Sequence, residues 1–486
     1  MANNNSHTFN SNNVRTMAAR WVIMGTMRLE SAAHFGGEGE GFADMKILRD
    51  PKNGGPLLPG TSLAGALRSH LADILFGYRA DEQQEVSRLF GSARSDDYGS
   101  QSPLIVFDSF GELPDDQDIE IRDGVAINPE TGTAEPHHKY DVEVLPAGTA
   151  FPVRIDLILA KSELESELLF LLAKTLEGLC QGEISIGMRR SRGLGTVKAS
   201  QWRAKRFDLY LQDGWIQWVT SDHENPIEKE VPEYESPFQA IKSVYHELPQ
   251  DGERVDRRKR VVIEADLAIQ GGLLVRSPGS EAGAPDAVHL QSAGNPVLPG
   301  TSLAGAMRAH ALRISQCVRG EDACEWIDRL FGPRIEKKMV SHSKQPSASR
   351  LRISESSIEN PAFRLQTRIA IDRFTGGTVN GALFEEQLLA GGTFTVRFEL
   401  RNPLEGEVGL LLLLLRDLLS GEIPVGGSAS VGRGMLRGKA TLYLANGEAY
   451  VIQPDQEVDE KVENAFNGYI KAFIDAASLH VQEVCS

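Results

Sequence analysis

Several features that would point directly to a function are missing from this chain of 486 residues. It has only four cysteines (Cys180, Cys317, Cys324 and Cys485), and they lack the paired spacing of a zinc site or a disulfide framework, which indicates a reducing compartment. No P-loop, metalloprotease helix motif or Gly-x-Ser-x-Gly elbow is present. The sequence therefore gives no support to the common nucleotide hydrolases, zinc proteases or serine hydrolases.

Long hydrophobic runs are also missing. The most apolar stretch, Leu410–Leu415, is followed at once by Arg416 and Asp417 and falls far short of the roughly 20 residues that span a bilayer, so it predicts a buried helix. The opening segment Met1–Asn13 is polar and has no apolar stretch typical of a secretory signal. We interpret it as a disordered tail and predict a cytoplasmic protein without membrane association.

Positive charge is in deficit, with 51 Lys and Arg against 67 Asp and Glu and a net charge of −16. This balance argues against indiscriminate nucleic-acid binding, which depends on neutralising phosphates. One stretch is different, because residues 188–206 carry seven cations and no acid: Arg189, Arg190, Arg192, Lys198, Arg203, Lys205 and Arg206. A second basic cluster, Arg254–Arg260, is broken only by Asp256. An acidic body with basic stripes predicts a protein that grips nucleic acid along one face and contacts proteins elsewhere.

The dominant positive feature is a duplication. The segment Leu58–Arg68, LPGTSLAGALR, returns 240 residues later as Leu298–Arg308, LPGTSLAGAMR, and further landmarks recur in the same order. A period this long indicates two complete domains rather than a solenoid. We assign residues 14–220 to the first domain, 221–258 to a linker, 259–450 to the second domain and 451–486 to a helical tail.

Hydrophobic periodicity gives both copies the same order of elements. A strand leads into a loop and a helix, which in the first copy is Leu63–Phe76 with Thr61 or Ser62 as its N-cap. Two strand-like segments follow, then a second helix (Leu164–Leu179 or Leu404–Leu419) and a last strand. The pattern β-α-β-β-α-β predicts an α+β protein made of two tandem ferredoxin-like domains.

The Pro-Gly-Thr-Ser turn is the first repeated candidate site. A helix start places hydroxyls and unpaired amides together, which suits a phosphate. The residues that would take part are Thr61, Ser62 and Arg68, and in the second copy Thr301, Ser302 and Arg308. The alternative is a sharp turn in which Gly and Ala allow close packing.

The second repeated feature is a glycine-rich loop, Gly187–Gly195 in one copy and Gly426–Gly434 in the other. Glycines let a phosphate backbone approach main-chain amides, although a plain turn uses the same residues. The candidates for nucleic-acid contact are Arg189, Arg190, Arg192, Gly193 and Gly195, with Gly432, Arg433 and Gly434 in the second copy.

An acidic residue precedes each Pro-Gly-Thr-Ser turn. Asp44 lies 15 residues before Pro59, and Asp286 lies 13 residues before Pro299. A lone Asp near glycines is ordinarily a turn residue, and the residues alone leave that reading in place.

Taken together, these motifs resemble the RAMP superfamily, and specifically the backbone subunits of type III CRISPR-Cas effector complexes. The segments Arg122–Gly132 and Arg368–Gly376, with Gly381–Phe384, resemble that family's thumb hairpin. The resemblance implies two RRM-like RAMP domains with thumb insertions, as in the fused double-backbone subunits of type III-D-like systems. It also implies RNA contacts from the thumb residues Arg122, Arg368 and Arg373.

The resemblance further implies a CRISPR guide RNA, a target RNA and other effector subunits as partners. By position, Asp44 and Asp286 inherit the role of cutting target RNA, with an RNA 2′-hydroxyl as nucleophile and a divalent metal, Mg²⁺, that these two carboxylates would help to hold. Arg189 and Arg190 become Ser428 and Ala429 in the second copy, which would then either cut or only hold RNA. Two other functions remain open: a guide-RNA scaffold without cleavage, and a duplicated metabolic protein that binds nucleotides.

Overall fold

The computed structural model describes residues 17–37, 43–78, 84–92, 99–128, 131–160, 164–249, 256–279, 283–319, 323–333, 348–444, 446–454, 456 and 459–483. The predicted polar tail Met1–Asn13, the basic residue Arg254 and Cys485 lie outside these residues.

The first domain is built on a four-stranded antiparallel sheet. Its elements are β1 (Ala19–Leu29), α1 (Gly60–Phe76), α2 (Gln84–Phe90), β2 (Leu104–Val106), β3 (Glu120–Ile127), β4 (Ala134–Val144), β5 (Ala150–Leu159), α3 (Glu165–Cys180) and β6 (Val197–Asp208). The sheet order is β6-β1-β5-β2. With β3 and β4 set aside as an insertion, this places the fourth, first, third and second strands side by side, as in the predicted ferredoxin-like plan.

After the linker helices α4 (Gln212–Thr220) and α5 (Pro237–Lys242), the second domain repeats the plan. Its elements are β7 (Arg260–Gln270), α6 (Gly300–Arg319), α7 (Ala323–Phe331), β8 (Leu351–Ile353), β9 (Ala362–Ile371), β10 (Thr378–Ala390), β11 (Thr393–Arg401), α8 (Glu407–Ser420), β12 (Met435–Tyr443) and β13 (Ala449–Ile452), followed by α9 (Glu460–Glu483). The sheet order is β8-β11-β7-β12-β13. Strands of two to four residues line the loops of both domains: Gly36–Gly37, Lys46–Ile47, Leu57–Leu58, Ser109–Phe110, Gly272–Leu273, Arg276–Ser277, Ala287–His289, Gln291–Ser292, Asn295–Leu298 and Ser356–Ser357.

The helices form where the apolar spacing predicts them. Leu63, Leu67 and Leu71 of α1 are buried in the core of the first domain, and the Leu410–Leu415 run is the buried face of α8. A further helix packs on the second long helix of each domain. Phe238 of the short helix α5 packs edge-on against Phe170 of α3, and the longer helix α9 contacts α8. The tail helix, which has no sequence counterpart in the first half, thus has a positional one in the linker.

The start of α1 differs from the prediction. The helix begins at Gly60 with Pro59 as N-cap, and neither Thr61 nor Ser62 caps it. The Pro59 carbonyl already accepts the N–H of Ser62, so the first turn forms earlier than the hydroxyls suggested. The cap comes from another strand segment instead, because Asp108 Oδ1 accepts the N–H of Gly60 at 2.7 Å.

Each domain carries one antiparallel hairpin beside its sheet: thumb 1 is β3–β4 and thumb 2 is β9–β10. Arg122 faces Val142 across thumb 1, and Gln366 faces Glu386 across thumb 2. The landmark Val125–Asn128 matches Ile369–Asp372, so the counterpart of Arg122 is Gln366. The two predicted thumb arginines, Arg122 and Arg368, therefore do not occupy equivalent positions. The adjacent pair His137–His138 belongs to β4.

Candidate nucleic-acid interface

Asp44 and Asp286 occupy matching positions at the bases of the two thumbs. Asp44 Oδ2 accepts the N–H of Asp141 in β4 at 3.0 Å, and Asp286 Oδ2 accepts the N–H of Glu385 in β10 at 2.8 Å. Both side chains are exposed. The two-residue difference in spacing before the Pro-Gly-Thr-Ser turn is absorbed by the loops and leaves this contact unchanged.

An open depression surrounds Asp44 and is lined by His34, Gly36, Gly37, Ala43, Asp44, Met45 and Lys46. His34 Nδ1 lies 2.7 Å from the Glu143 carbonyl, which can only accept, so Nδ1 carries the proton of this hydrogen bond. Burial, followed by a hydrogen bond to Asp123, raises the pKa of the Asp141 carboxyl. Sequence reasoning missed His34, because no motif marks it.

The residues around Asp286 differ from the His34 and Asp141 found near Asp44. The carbonyls of His34 and Leu274 accept equivalent loop amides, those of Met188 and Gly427, so Leu274 stands where the first domain has His34. The thumb register likewise puts Glu385 in place of Asp141. The two sites share the carboxylate and its thumb contact but not their neighbours.

The first glycine-rich loop forms a joint between the domains. A Cβ on Gly193 would overlap the backbone of Ser354 and Glu355, and one on Gly195 would overlap the Ile186 carbonyl. Arg192 Nη2 donates to the Phe331 carbonyl at 2.5 Å. Burial and the nearby Arg308 charge lower the pKa of the Arg192 guanidinium to about 10. Arg192, Gly193 and Gly195, predicted to contact RNA, serve packing within the chain instead.

Arg122 also takes part in the contact between the two domains. Its guanidinium is buried and forms ion pairs with Glu355 of the second domain at 2.5 Å and with Glu120 at 3.4 Å. Glu355 also accepts the N–H of Ala32 at 3.4 Å. The prediction that Arg122 contacts RNA is therefore corrected, since a guanidinium held by two buried carboxylates is not available to a phosphate.

The second glycine-rich loop is open at its tip but anchored at its base. Gly432 has no neighbour within 4 Å of an added Cβ among the described residues, and Val431 is 62% exposed. Arg433 is buried, where it donates to Glu386 at 2.8 Å and to Gln366 at 2.7 Å. A Cβ on Gly434 would overlap the Val425 backbone. Arg433 and Gly434 are thus structural, contrary to the prediction.

Arg68 and Arg308, which follow the two helix starts, each form hydrogen bonds within their own domain. Arg68 Nη1 donates to the Phe90 carbonyl at 3.5 Å, and Arg308 Nη1 donates to the Gly332 carbonyl at 2.5 Å. Arg308 also pairs with Asp328. Because both carbonyls lie at the repeated Leu-Phe-Gly segments, this contact explains why the two motifs recur together. Both arginines are half-buried, and their contact with a phosphate stays a prediction.

The helix starts themselves differ in exposure. Thr61 and Ser62 are exposed, whereas Thr301 and Ser302 are half-buried. A Cβ on Gly300 would overlap the Arg192 carbonyl, so the joint covers the second helix start. Only the first one is open to a ligand.

The predicted basic stripes are largely neutralised by acids. Lys198 pairs with Glu30 at 3.6 Å, Lys205 with Glu228, and Arg206 with Glu165 at 2.8 Å. In the second cluster, Arg258 and Arg260 both pair with Glu183, at 2.8 and 2.7 Å. These cations are paired with acids of the same chain, whereas Arg257 and Lys259 of the second cluster are exposed, so the nucleic-acid contact of the basic stripes stays a prediction.

Fewer cations remain for RNA. Arg190 is exposed, and in the described part of the chain its guanidinium has no hydrogen-bond or ion-pair partner. Arg189 stacks on Tyr140 of thumb 1 and donates to its hydroxyl at 2.5 Å. On thumb 2, Arg373 is exposed, and Arg368 is one-third exposed with Glu386 at 3.4 Å.

With this geometry in view, the chain belongs to the RAMP superfamily, whose family profile matches residues 26–198 and 266–437, one match for each domain. The resemblance to type III CRISPR subunits is confirmed at the level of similarity. The chain is 32% identical over 116 residues to the CRISPR system Cms endoribonuclease Csm3 of Enterococcus italicus, covering 22% of this chain and 54% of the relative. It is 31% identical over 100 residues to Csm3 of Streptococcus thermophilus, covering 19% and 45%. The chain thus spans about half the length of these curated relatives.

The predicted Mg²⁺ would need oxygen ligands from side chains near Asp44 or Asp286. Among the described residues, no group of three or more His, Cys, Asp or Glu side chains could hold an ion. Mg²⁺ in nucleic-acid enzymes is often held by one or two carboxylates together with substrate phosphates. Asp44 and Asp286 fit only such a shared site, and the Mg²⁺ assignment stays a prediction. In the same described ranges, none of the helices has both the length and the apolar content to cross a membrane.

Proposed function

We propose that this chain is a guide-RNA-binding backbone subunit of a type III CRISPR-Cas effector complex and that it cuts target RNA at two positions, one at Asp44 and one at Asp286. The proposal rests on one observation above all: each Asp is exposed and held through one oxygen by a thumb-strand amide, in both domains. The likeness to two proteins called Csm3 endoribonucleases supports it.

The thumbs supply surfaces suited to unstacked bases. Three matching positions are large, apolar and about half exposed in each: Ile121, Val125 and Ile127 in thumb 1, and Leu365, Ile369 and Ile371 in thumb 2. Apolar side chains inserted at a base step unstack it and bend the backbone. A thumb that does so next to Asp44 or Asp286 would bring the displaced nucleotide's phosphate beside the carboxylate.

The chemistry needs no nucleophile from the protein. The 2′-oxygen of the displaced nucleotide attacks its own 3′-phosphorus, the bond from phosphorus to the next 5′-oxygen breaks, and the products end in a 2′,3′-cyclic phosphate and a 5′-hydroxyl. Holding the reacting atoms in line supplies much of the acceleration. The carboxylate oxygen that is not held by the thumb amide can accept the 2′-proton, and bound Mg²⁺ would stabilise charge on the phosphate.

Asp44→Asn and Asp286→Asn test this assignment cleanly, since each amide oxygen can still accept the thumb N–H while the charge is lost. We expect each variant to lose one product from a labelled target, the double variant to lose both, and guide binding to stay within about twofold because positioning contacts are separate. Asp213→Asn, an exposed acid on α4, is the matched control and should leave the ladder unchanged.

The product ends provide a second readout. Cyclic phosphate termini would agree with the 2′-oxygen route. They are detected as 3′ ends that resist ligation until acid opens the ring and a phosphatase then removes the resulting monophosphate. An unchanged ladder in the Asp44→Asn, Asp286→Asn double variant would refute cleavage by this chain and leave it as a scaffold.

A further inference from the structure

The two loops that lead away from the candidate aspartates are alike up to one leucine and then diverge. Leu48 and Leu290 each lie four residues after the aspartate of their domain. The carbonyl of each leucine accepts an N–H of the returning strand at 3.1 Å, from Leu57 in the first domain and from Val297 in the second. Eight residues lie between the paired positions in the first domain and six in the second. This stretch alone therefore holds the two-residue difference that precedes the Pro-Gly-Thr-Ser turns.

In the second domain the six residues form a tight hairpin, the 291–296 hairpin. The strand Gln291–Ser292 pairs with the start of the strand Asn295–Leu298, so Ala293 and Gly294 alone make the turn. Both residues have positive φ, 47° and 75°, as the common two-residue hairpin turn requires. Glycine adopts this backbone freely, whereas the Cβ of an alanine opposes it. The turn at Ala293 therefore needs support from outside the hairpin.

Thumb 1 of the first domain supplies that support. Glu120 Oε1 accepts the N–H of Ala293 at 2.8 Å, and the hydroxyl of Ser292 hydrogen-bonds to the same carboxylate. Ser292 is buried and also accepts the N–H of Ala147 at 3.2 Å. The Glu120 side chain is only 18% exposed, and its second oxygen lies 3.4 Å from Arg122. The turn is thus held by a carboxylate that lies 173 positions earlier in the chain.

The 291–296 hairpin is in turn connected to Asp286 by a buried histidine. The strand Ala287–His289 follows Asp286 directly and pairs with thumb 2. His289 is 1% exposed, and its Nδ1 accepts the N–H of Val275 at 3.2 Å while its Nε2 donates to the Val297 carbonyl at 3.0 Å. Because Val297 belongs to the returning strand of the hairpin, a shift of the hairpin also displaces the strand that begins beside Asp286.

The longer loop of the first domain closes on itself instead. Asp50 and Gly55 are joined by a backbone hydrogen bond of 2.8 Å, and Gly54 donates to the Asp50 carbonyl at 2.8 Å. The Asn53 side chain accepts the N–H of Gly55 at 2.8 Å. Residues 51–54 at the tip of this loop are exposed. The two loops thus reach their shapes by different means, one through its own hydrogen bonds and the other through thumb 1.

We propose that Glu120 of thumb 1 is a positioning residue for the Asp286 site, so that the first domain sets the geometry of the second site. The inference rests on the proposed function, in which Asp286 cuts target RNA. Thumb 1 contacts both loops, but through different strands: Asp44 is held by an amide of β4, whereas Glu120 lies on β3. Loss of the Glu120 carboxylate should therefore affect the Asp286 site and spare the Asp44 site.

The ratio of the two cuts, measured with the full chain loaded with guide RNA, tests the positioning role. A displacement of about 1 Å can cost on the order of a hundredfold in rate. In Glu120→Ala we expect the cut assigned to Asp286 to slow at least about tenfold at saturating target, with target affinity unchanged. The cut assigned to Asp44 should stay within about twofold of the parent rate.

Two further variants accompany this measurement. Glu120→Gln keeps an oxygen that can accept the Ala293 N–H and should recover most of the lost rate. Asp118→Ala removes an exposed acid two residues before Glu120 and is the matched control, with a cut ratio equal to that of the parent.

Relief of the turn distinguishes positioning from a general loss of stability. Because glycine reaches positive φ without the cost that alanine incurs, Ala293→Gly lets the turn form with less help from Glu120. The double variant Glu120→Ala, Ala293→Gly should therefore cut at the Asp286 position faster than Glu120→Ala alone. A double variant no faster than Glu120→Ala would count against the proposal.

Hydrogen exchange separates this inference from the proposed function. In Glu120→Ala the amides of residues 287–298 should exchange faster than in the parent and in Asp118→Ala, with residues 44–57 as the internal reference. Unchanged exchange in 287–298, an unchanged cut ratio, or an equal slowing of both cuts would overturn the positioning role. A parent chain that cuts at neither position refutes the proposed function, and exchange in 287–298 then decides by itself whether Glu120 holds the Asp286 loop.

Discussion

Replacing Glu386 tests whether thumb 2 is held in place by charge. This buried carboxylate accepts from Arg433 at 2.8 Å and from Arg276 at 2.9 Å, and lies 3.4 Å from Arg368. The first domain places Val142 and Leu194 at the positions of Glu386 and Arg433, inside a small apolar cluster. The two thumbs thus have the same geometry with different anchors.

The expected loss of stability in Glu386→Ala follows from the burial of its partner Arg433. Glu386→Ala leaves Arg433, 4% exposed, with only the Gln366 amide oxygen as a partner. Removing one member of a buried ion pair typically costs about 3–5 kcal/mol, while Arg276, whose side chain is 59% exposed, adds at most about 1 kcal/mol. If this loss is confined to the hairpin, its local opening equilibrium should rise more than about a hundredfold.

Hydrogen exchange followed by mass spectrometry measures that opening directly. Amides of β9 and β10 should exchange faster in Glu386→Ala, with those of β3 and β4 in the same molecule as the reference. The RNA cut assigned to Asp286 should slow, while the cut assigned to Asp44 should not. The double variant Glu386→Val, Arg433→Leu copies the first domain's anchor and should restore both readouts. Equal exchange in parent and Glu386→Ala would refute the charge anchor.

Acid should reproduce the effect of the mutation. Although burial opposes it, the arginine contacts, led by Arg433, hold the pKa of Glu386 below its usual range. A depressed pKa means that the stabilisation is present above the unfolded-state pKa and is lost as pH falls through the folded-state pKa. Thumb 2 should therefore open as the pH falls below the usual titration range of a glutamate, whereas the apolar anchor of thumb 1 gives it no such dependence.

Three more outcomes follow from the site. Arg190→Ala should weaken RNA binding uniformly across sequences and lower the dependence of log affinity on log salt concentration by about one. Lys198→Ala removes a cation that is already paired with Glu30, so it should change this slope less. Filter binding at several salt concentrations measures both slopes. Glu355→Ala should lower the free energy of unfolding by about 3–5 kcal/mol, because it leaves Arg122 buried beside Glu120 alone. The control Glu264→Ala removes the exposed partner of Arg397 and should lower it by less than about 1 kcal/mol, as denaturant unfolding would measure. Burial raises the pKa of Asp73 to about 6, so stability falls as pH rises from the unfolded-state pKa of about 4 to the folded-state pKa and stays at the lower level above it. Asp73→Asn should therefore stabilise the fold by up to about 3 kcal/mol at pH 8, and an equal gain at pH 4 would contradict this reasoning.

The element order could be predicted because local patterns and the duplication agree. Apolar spacing in α1 and α3 marks helices without any knowledge of partners, and each copy checks the other. The helix start at Gly60 could not be predicted in this way, because its cap is Asp108, 48 residues away. Local signals named the nearest hydroxyls, while the fold supplied a more distant carboxylate.

Asp44 and Asp286 owe their matching positions to strand pairing with the thumbs. Each lies a short distance before the strand that pairs with the thumb, so the parallel ladders Met45 with Val142 and Ala287 with Glu386 fix both acids relative to their hairpins. Loop length then matters little, which is why the shorter spacing before Pro299 leaves the contact intact. His34 had no such signal, since its counterpart is a leucine.

The arginines show where sequence reasoning stops. Arg122, Arg192 and Arg433 were all predicted to bind RNA on the strength of their charge and their place in a motif. A sequence reveals a cation but not the acid that reaches it, and the partner of Arg122, Glu355, lies 233 residues further on. Once such partners are counted, the motif arginines divide into those that fasten domains and thumbs and the smaller number, Arg190 and Arg373 among them, that remain exposed. Under the proposed function, the phosphate contacts of this chain of net charge −16 would come from a few exposed cations and the two thumbs, because several of the arginines in its motifs are already paired with acids or carbonyls of its own fold.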